Sequence, residues 1–459
     1  ERQSRTDPKA YPRTQQHDEE ANAATDALRY VSDDQDLDIK ISRVFDNMLV
    51  EGEGAVEVTV RKQRNGVIDP KVVRIAWDRL YADPHSAEAD RSDASFVGYI
   101  TWMDVEAAKR RWKDKAEVID ASYAKGTSTA FDTFEDKPTW AYWSDSKRKR
   151  IRINTHYHLE GGVWHRCVFT LAGELEESRP VEFLDEDGQP ECPLILQSAY
   201  IDRDNDRYGI VRDMIPLQDE VNKRRSKFLH MVNNAKVRVS RSLQQDAEKV
   251  RREMSKPDGV VVGDPDEITE LGNFNREAGQ FQLLNDTRMT LKGNIGPNAT
   301  MQGKQGEGQS GRAILALQQA GMTEMTPLLD NLRHLKIRVF RQCWNRIRQY
   351  WTEERWVRVT DDEKNVRFVG LNVAPKLDQM QATEAMYKLA GAVQSGQVDP
   401  ETAAQYEQQI VKMANVQNPV AELDVDIDID EVNETPTLQI EQFEALVQLA
   451  STGMVPIPP

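Results

Sequence analysis

The sequence predicts an α+β fold in which strands and helices occupy separate stretches of the chain. The alternating apolar residues from Gly54 to Val60 are typical of a strand with one buried face. From Ile210 to Val232 the apolar residues recur at spacings of three and four, which is the period of a helix with one apolar face. The same pattern continues from Arg312 to about Glu354, a helix of roughly 60 Å at 1.5 Å per residue. A run of strands followed by a run of helices is typical of α+β proteins.

The composition excludes several classes of protein. The chain has 459 residues, of which 39% are hydrophobic and 30% are charged, and its formal net charge is −16. Such an acidic chain lacks the basic face with which proteins neutralise DNA phosphates, so any DNA would be guided past it rather than held tightly. No apolar run reaches the ~18 residues of a membrane span, and the first residues lack the apolar core of a signal peptide. We therefore expect a soluble, unexported protein.

The three cysteines, Cys167, Cys192 and Cys343, are distant from one another and odd in number. They are expected to be reduced thiols of a cytosolic protein, and the absence of a CxxC pair disfavours zinc. Glu1 is not an initiator methionine, so the numbering is expected to begin inside a longer gene product.

The first half of the chain is predicted to be rich in strands. A short helix with few apolar anchors is expected from Asp18 to Tyr30, and Asn65-Gly66 marks a hairpin between the first strand and Val72 to Trp77. Asp104 is expected to cap a helix that ends at Trp112. Further strands are predicted at Arg150 to His158 and at Val163 to Leu171, joined by Gly161-Gly162.

Two helices separated by a small lobe are predicted next. Pro216 suits the first turn of the first helix. The lobe, from Lys236 to Leu271, contains a strand pattern at Val237 to Val239, a charged helix near Gln244 to Met254, and a second strand pattern at Val260 to Val262. The second helix is expected from Glu277 to Leu291.

The remainder combines a glycine-rich loop with a long helix and an acidic end. Six glycines and one proline between Gly293 and Gly311 predict a flexible loop, and Pro327 predicts a kink in the long helix. The later predictions are a strand pair, a helical stretch, an alternating acidic strand and a last helix: Trp356 to Val359 with Val366 to Val369, Lys376 to Ala414, Leu423 to Ile429, and Thr437 to Ala450.

Three patterns suggest a nucleotide or metal site without completing one. Around Lys304, a Walker motif would need glycine at Asn298 and serine or threonine at Gln305. The spacing of Asp202, Asp204, Asp206 and Asp213 is similar to that of a calcium loop, but Arg207 occupies the position of the required glycine. The histidines His156, His158 and His165 lack a further ligand at a recognisable spacing. We therefore expect no catalytic residues, no metal and no cofactor.

Two charge patterns allow more than one interpretation. Asp424, Asp426, Asp428 and Asp430 share one strand face, which would suit a cation site, an acidic channel wall, or an exposed edge kept soluble by charge. The basic cluster formed by Lys223, Arg224, Arg225 and Lys227 would suit DNA, acidic residues of a neighbouring subunit, or solvent. We favour contact between subunits for the basic cluster.

The order of these parts resembles the portal proteins of short-tailed phages. The stretches that carry the resemblance are RIAWDRLYADPHSAEADRSDASFVGYITWM, PLQDEVNKRRSKFLHMVNNAK, KPDGVVV, AGQFQLLND, and SGRAILALQQAG with the continuation NLRHLKIRVFRQCWNRIRQYWTEERWVRVTDDEKNVRFVGLN. The resemblance implies an elongated α+β portal subunit with an α/β wing, a two-helix stem, a small β-containing clip and a long kinked wing helix. The implied ranges are 1–207 for the N-terminal wing, 208–235 and 274–292 for the stem helices, 236–273 for the clip, 293–311 for the tunnel loop, 312–355 for the wing helix, and 356–459 for the C-terminal wing part and the start of a crown.

The resemblance also implies a function. A ring of subunits, usually a dodecamer, would form the channel for packaging and ejection of double-stranded DNA at one capsid vertex of the virion. Its partners would be the terminase large subunit, a tail adaptor or head-completion protein, and the major capsid and scaffolding proteins; it would be made in the bacterial host cytoplasm and would contact no membrane. A packaging ATPase would need a complete Walker motif, and an adaptor would be much shorter and would lack the long helix.

Charged and polar residues are assigned to each implied surface. The DNA channel and tunnel loop are assigned Arg288, Lys292, Gln302, Lys304 and Gln305. The contact between subunits is assigned the basic cluster Lys223, Arg224, Arg225 and Lys227. Docking of the terminase or the adaptor on the clip is assigned Arg241, Lys249, Arg251 and Arg252.

Overall fold

The structure is a computed structural model that describes residues 4–13, 18–64, 66–127, 142–233, 237–254, 256, 259–262, 268–270, 274–293, 311–360, 366–377, 379–394, 400–414, 416, 418–421 and 423–433. The helices in chain order are α1 Asp18–Asp34, α2 Leu37–Glu51, α3 Val105–Arg111, α4 Ala116–Thr127, α5 Ile215–Asn233, α6 Ala247–Met254, α7 Phe274–Gly293, α8 Gly311–Tyr350, α9 Gln379–Gln394 and α10 Pro400–Ala414. The strands are β1 Ser4–Pro12, β2 Glu53–Lys62, β3 Ile68–Ile75, β4 Leu80–Ala82, β5 Phe96–Asp104, β6 Ser144–Asp145, β7 Arg150–Glu160, β8 Val163–Thr170, β9 Gly173–Pro180, β10 Leu194–Ser198, β11 Tyr200–Ile201, β12 Arg207–Tyr208, β13 Val237–Val239, β14 Ile268–Glu270, β15 Arg355–Thr360, β16 Val366–Leu371 and β17 Val425–Asn433.

The larger sheets are antiparallel. One has the strand order β10-β2-β3, and the other has the order β4-β5-β7-β8-β9 with β6 beside the start of β7. Gly161 and Gly162 join β7 to β8 as expected, because their φ angles of 60° and 85° suit glycine in a tight hairpin. The other pairings are β1-β17, β11-β12, β13-β14 and β15-β16. This mixture of helices with antiparallel strands confirms the α+β class.

The chain separates into two compact units. The first, called the α/β unit below, comprises Glu1–Tyr208 and Asp330–Pro459; the second, called the helical unit, comprises Gly209–Leu329. The core of the α/β unit lies between its two larger sheets, where Tyr157, Phe183 and Leu196 are buried together. A second cluster, which includes Ile119 and Ile151, packs α3 and α4 against the larger sheet.

The N-terminal region differs most from expectation. Helix α1 is well anchored, because Ala24, Ala27 and Leu28 are fully buried, whereas few apolar anchors were expected. The sequence patterns did not predict α2. Ser4–Pro12, for which no strand was predicted, forms β1 and pairs with β17 from Ser4↔Asn433 to Pro12↔Val425. A local pattern cannot show a strand whose partner lies at the other end of the chain.

The cap of α3 is only partly as expected. Asp104 precedes the helix in an extended conformation, but its side chain makes no capping hydrogen bond. Its carboxylate lies 3.5 Å from the Arg150 guanidinium instead, on the strand that pairs with β5. The ion pair with the neighbouring strand therefore replaces the cap.

The helical unit contains the expected helices, with one correction in the lobe between them. Helix α5 begins at Ile215, later than the predicted Ile210, because Arg212–Met214 forms a 3₁₀ turn, and it has Pro216 in its first turn. Helix α7 extends a little beyond both predicted ends. The predicted strand at Val260 to Val262 is wrong, because these residues are irregular. The partner of β13 is β14, in which Glu270 lies opposite Val237.

The C-terminal part confirms the strand pair β15-β16 and shortens the long helix. Helix α8 passes Pro327 and ends at Tyr350, about four residues early, and the next residue, Trp351, donates its indole N–H to the Ile68 carbonyl at 3.0 Å. The kink at Pro327 stays a prediction. The helical stretch predicted from Lys376 to Ala414 is two helices, α9 and α10. The last predicted helix lies outside the described residues, among which no helix is both long and apolar enough to cross a bilayer.

Candidate subunit and nucleic-acid interfaces

Helices α5 and α7 pack against each other along a narrow apolar contact. The ring centroids of Phe228 and Phe281 are 5.9 Å apart, and Val221 and Leu284 are buried beside them. Larger apolar side chains of the same two helices are exposed: Ile215, Leu229, Phe281, Leu283 and Met289. The pair therefore presents an apolar surface beyond what its own contact buries, which is typical of a surface that binds a partner.

The basic cluster of α5 is mostly directed to solvent. The Arg224 guanidinium donates to the Glu220 carboxylate one turn earlier, with Nε at 2.7 Å. Lys223, Arg225 and Lys227 are exposed. A contact between subunits through these residues stays a prediction.

The cations assigned to the DNA channel are accessible where the structure describes them. Arg288 and Lys292 are exposed on α7, and their spacing of four places them on one face of the helix. Gln302, Lys304 and Gln305 lie outside the described residues. The structure thus brings two of these five residues to a shared surface and leaves the tunnel loop as a prediction.

The cations assigned to docking surround α6. Lys249, Arg251 and Arg252 are exposed on this helix, and Arg241 is exposed in the short 3₁₀ turn before it. Val250 is buried on the opposite side and anchors the helix to its lobe. Asp246 and Glu248 are exposed among these cations, so this surface carries both signs of charge, and docking through it stays a prediction.

The acidic stripe that begins at Asp424 and continues along β17 fits none of the three interpretations completely. Asp424 and Asp426 are exposed and Asp428 is half-buried, but arginines pair with all three: Arg13 lies 2.8 Å from Asp424 and 2.7 Å from Asp426, and Arg333 lies 2.9 Å from Asp428. The side chain of Asp430 is outside the description. The alternating Val425, Ile427 and Ile429 are buried on the other face. The stripe is therefore largely neutralised by neighbouring side chains.

The three histidines form a stack. The His158 ring centroid lies 5.4 Å from that of His156 and 5.8 Å from that of His165, and Tyr81 stacks on His156 at 5.9 Å. Burial, together with the neighbouring His158, lowers the pKa of His156. Across the described residues, no three histidine, cysteine or acidic side chains are placed to hold a metal ion.

Three of the aspartates whose spacing is similar to a calcium loop, Asp202, Asp204 and Asp206, lie in the hairpin between β11 and β12, whereas Asp213 lies in a later 3₁₀ turn, Arg212–Met214. An oxygen of the Asp202 carboxylate accepts the backbone N–H groups of Asp204 and Asp206, at 3.0 and 2.9 Å. This geometry is an Asx turn, in which the carboxylate accepts hydrogen bonds from backbone N–H groups of the same turn.

Two features escaped the sequence analysis. One is the set of exposed apolar residues on α5 and α7, which a count of apolar positions outside the main stripe would have indicated. The other is Glu57, which lies on the same face of β2 as the buried Ala55 and is itself buried. An acidic residue at an inward position of an alternating strand was the available signal.

Exposed apolar and cationic helix faces are typical of a subunit that works in a larger assembly. The chain belongs to the P22-like phage portal protein family, whose model matches residues 1–459. It is also 21% identical over 338 residues to the portal protein of Helicobacter pylori bacteriophage KHP30, a match that covers 71% of this chain and 52% of that protein. The chain therefore spans about half the length of this relative. The family match confirms the resemblance seen in the sequence, and the family is structural rather than enzymatic.

Proposed function

We propose that this chain is the subunit of a ring at one vertex of a phage capsid and that double-stranded DNA passes through the ring during packaging and ejection. Family membership supports a portal role. The observation that carries the ring is the exposed apolar surface of α5 and α7, where Leu283 and Met289 are 44% and 74% exposed. Cyclic assembly would cover such a surface on every copy and leave none exposed.

The charge of the chain supports transit rather than tight binding. Twelve copies with a net charge of −16 each would make a strongly acidic assembly. Arg288 and Lys292 would then be sparse cations that guide DNA past an acidic wall. The terminase large subunit and later a tail adaptor would dock on the lobe that carries α6, with capsid and scaffolding proteins around the ring.

Electron microscopy and mass photometry of the purified chain test this function. We expect closed rings with a central opening. Leu283→Ser should shift the protein toward monomers, because it removes apolar area from the surface that assembly would cover. Leu159→Ser is the matched control, since Leu159 is 45% exposed but lies on β7 of the α/β unit, and it should leave rings intact. A monomer at every protein concentration would contradict the proposal.

A further inference from the structure

A cleft of about 500 Å³ lies between the two larger sheets of the α/β unit. Its inner walls are partly apolar and include Val60, Val73, Val181 and Phe183. The volume is large enough for a small organic molecule. The charged groups of the cleft are divided between its floor and its rim, and this division indicates what it could bind.

The floor of the cleft carries a buried carboxylate. Glu57 is 9% exposed, and its neighbours across the sheet are Leu194 and Val73. The Tyr157 hydroxyl donates to the Glu57 carboxylate at 2.7 Å, and the Tyr99 hydroxyl donates to it at 3.0 and 3.1 Å. No lysine, arginine or histidine of the described residues forms an ion pair with Glu57.

The two tyrosines remain neutral donors. Burial, and then the negative charge of Glu57, raise the pKa of both Tyr99 and Tyr157. A buried carboxylate that has hydrogen bonds but no cation is costly, because neutral hydroxyls compensate only part of the lost hydration. The Oε2 atom accepts only the 3.1 Å bond from Tyr99, so it can accept a further donor.

The rim of the cleft has the opposite charge. The Arg166 guanidinium forms an ion pair with the Glu176 carboxylate at 2.8 Å. The Trp112 indole N–H also donates to this carboxylate at 2.8 Å. The remaining rim cations are Lys71, Arg111 and Arg179, against the single further carboxylate of Glu182 among the described lining residues. A simple cation would be repelled by this rim, and a simple anion would be repelled by the floor.

We propose that the cleft binds a small zwitterion, in which an ammonium group and a carboxylate are separated by a short aliphatic chain. The ammonium group would pair with Glu57 and use the free acceptor capacity of Oε2. The carboxylate would contact the rim cations, of which Lys71 and Arg111 are exposed. The aliphatic chain would lie against Val73 and Val181. This inference is independent of the proposed ring function, because every residue in it belongs to the α/β unit.

Isothermal titration calorimetry on the full chain, in the assembly that it forms, tests the proposal with three probes of equal length. The probes are 6-aminohexanoate, n-hexylamine and hexanoate, which carry both charges, the positive charge only and the negative charge only. We expect 6-aminohexanoate to bind at least about tenfold more tightly than either of the others. Equal affinity for hexylamine or hexanoate would overturn the proposal, and so would the absence of any heat with 6-aminohexanoate at millimolar concentration.

Three variants locate the site. Glu57→Gln keeps the shape and the acceptor for the tyrosine hydroxyls, and it should abolish the preference for 6-aminohexanoate over hexanoate. Lys71→Ala lies on the exposed rim, where it cannot disturb the core, and should weaken 6-aminohexanoate binding about fivefold or more. Glu160→Gln, 68% exposed at the end of β7, is the control and should bind like the unmodified chain. Unchanged binding by Lys71→Ala would overturn the assignment even if Glu57→Gln fails to fold.

Discussion

The α/β unit and the helical unit differ in how completely they bury their apolar side chains. The α/β unit buries whole side chains between sheets and under α8, including Tyr157, Leu196 and Trp344 at 2% exposure each. Among the described residues of the helical unit, four apolar side chains are buried (Val221, Val250, Leu284 and Leu328), whereas seven large ones are exposed (Ile215, Leu229, Val260, Val262, Phe281, Leu283 and Met289).

This difference indicates which part of the protein depends on partners. A unit that buries its own apolar surface is stabilised by it in the free chain. A unit that leaves many of its large apolar side chains exposed gains that stabilisation only when another surface covers them. We therefore expect core changes in the α/β unit to lower its own stability, and changes on the helical unit to act mainly on assembly.

The largest effect is expected at Arg346, where α8 places a guanidinium that is 0% exposed inside the α/β unit. It lies 3.4 Å from the Glu191 carboxylate, donates to the Leu184 carbonyl at 3.1 Å and covers the Phe183 ring. Arg346→Leu should lower the free energy of unfolding by about 3–5 kcal/mol, because it leaves Glu191 without its cation. Urea unfolding followed by tryptophan fluorescence measures this, since all nine tryptophans lie in the α/β unit.

Two further variants test whether the loss of stability comes from the Arg346–Glu191 ion pair or would follow the removal of any positive charge from α8. Arg341→Leu, on the exposed side of the same helix, should change the unfolding midpoint little. Adding Glu191→Gln to Arg346→Leu should recover part of the loss. A small effect of Arg346→Leu, equal to that of Arg341→Leu, would contradict the buried ion pair.

The second prediction compares one truncated apolar side chain in each of the two units. Leu196→Ala removes a side chain that is 2% exposed in the core between the sheets, and it should cost about 2–5 kcal/mol. Met289→Ala removes a side chain that is 74% exposed, and it should change the tryptophan transition by less than about 0.5 kcal/mol. Equal shifts for the two variants would show that the helical unit is as self-contained as the α/β unit.

The smallest effect is expected at the surface of the α/β unit. Asp428→Asn removes the partner of Arg333, and because both side chains are nearly half exposed the loss should stay below about 1 kcal/mol and shrink in high salt. The Arg333 hydrogen bond lowers the pKa of Asp428, so its stabilisation is present above the ordinary carboxylate pKa and is lost as the pH falls through the lowered one. Urea titrations at neutral and acid pH measure this difference, which should disappear in acid.

Local patterns predicted the elements that carry their own signal. The hairpin at Gly161-Gly162, the strand pair β15-β16 and the helices α5 and α7 follow from turn residues and from apolar periodicity. Val260 to Val262 was wrong for the same reason, because a run of valines favours a strand only where a partner strand lies beside it. The exposed cations on α5, α6 and α7 were identified by composition, but their partners were not.

The sequence by itself determined the α+β class, the acidic character of the chain, the helix-lobe-helix order and the resemblance to phage portal proteins, because these depend on residue types and their spacing along the chain. Only the tertiary structure decided that β1 pairs with β17, that arginines match the acidic stripe, and that Glu57 lies buried between two tyrosines at the floor of a cleft. The physical reason is that burial and ion pairing depend on residues far apart in the chain, and the free energy of a charged group is set by the neighbours that folding brings to it.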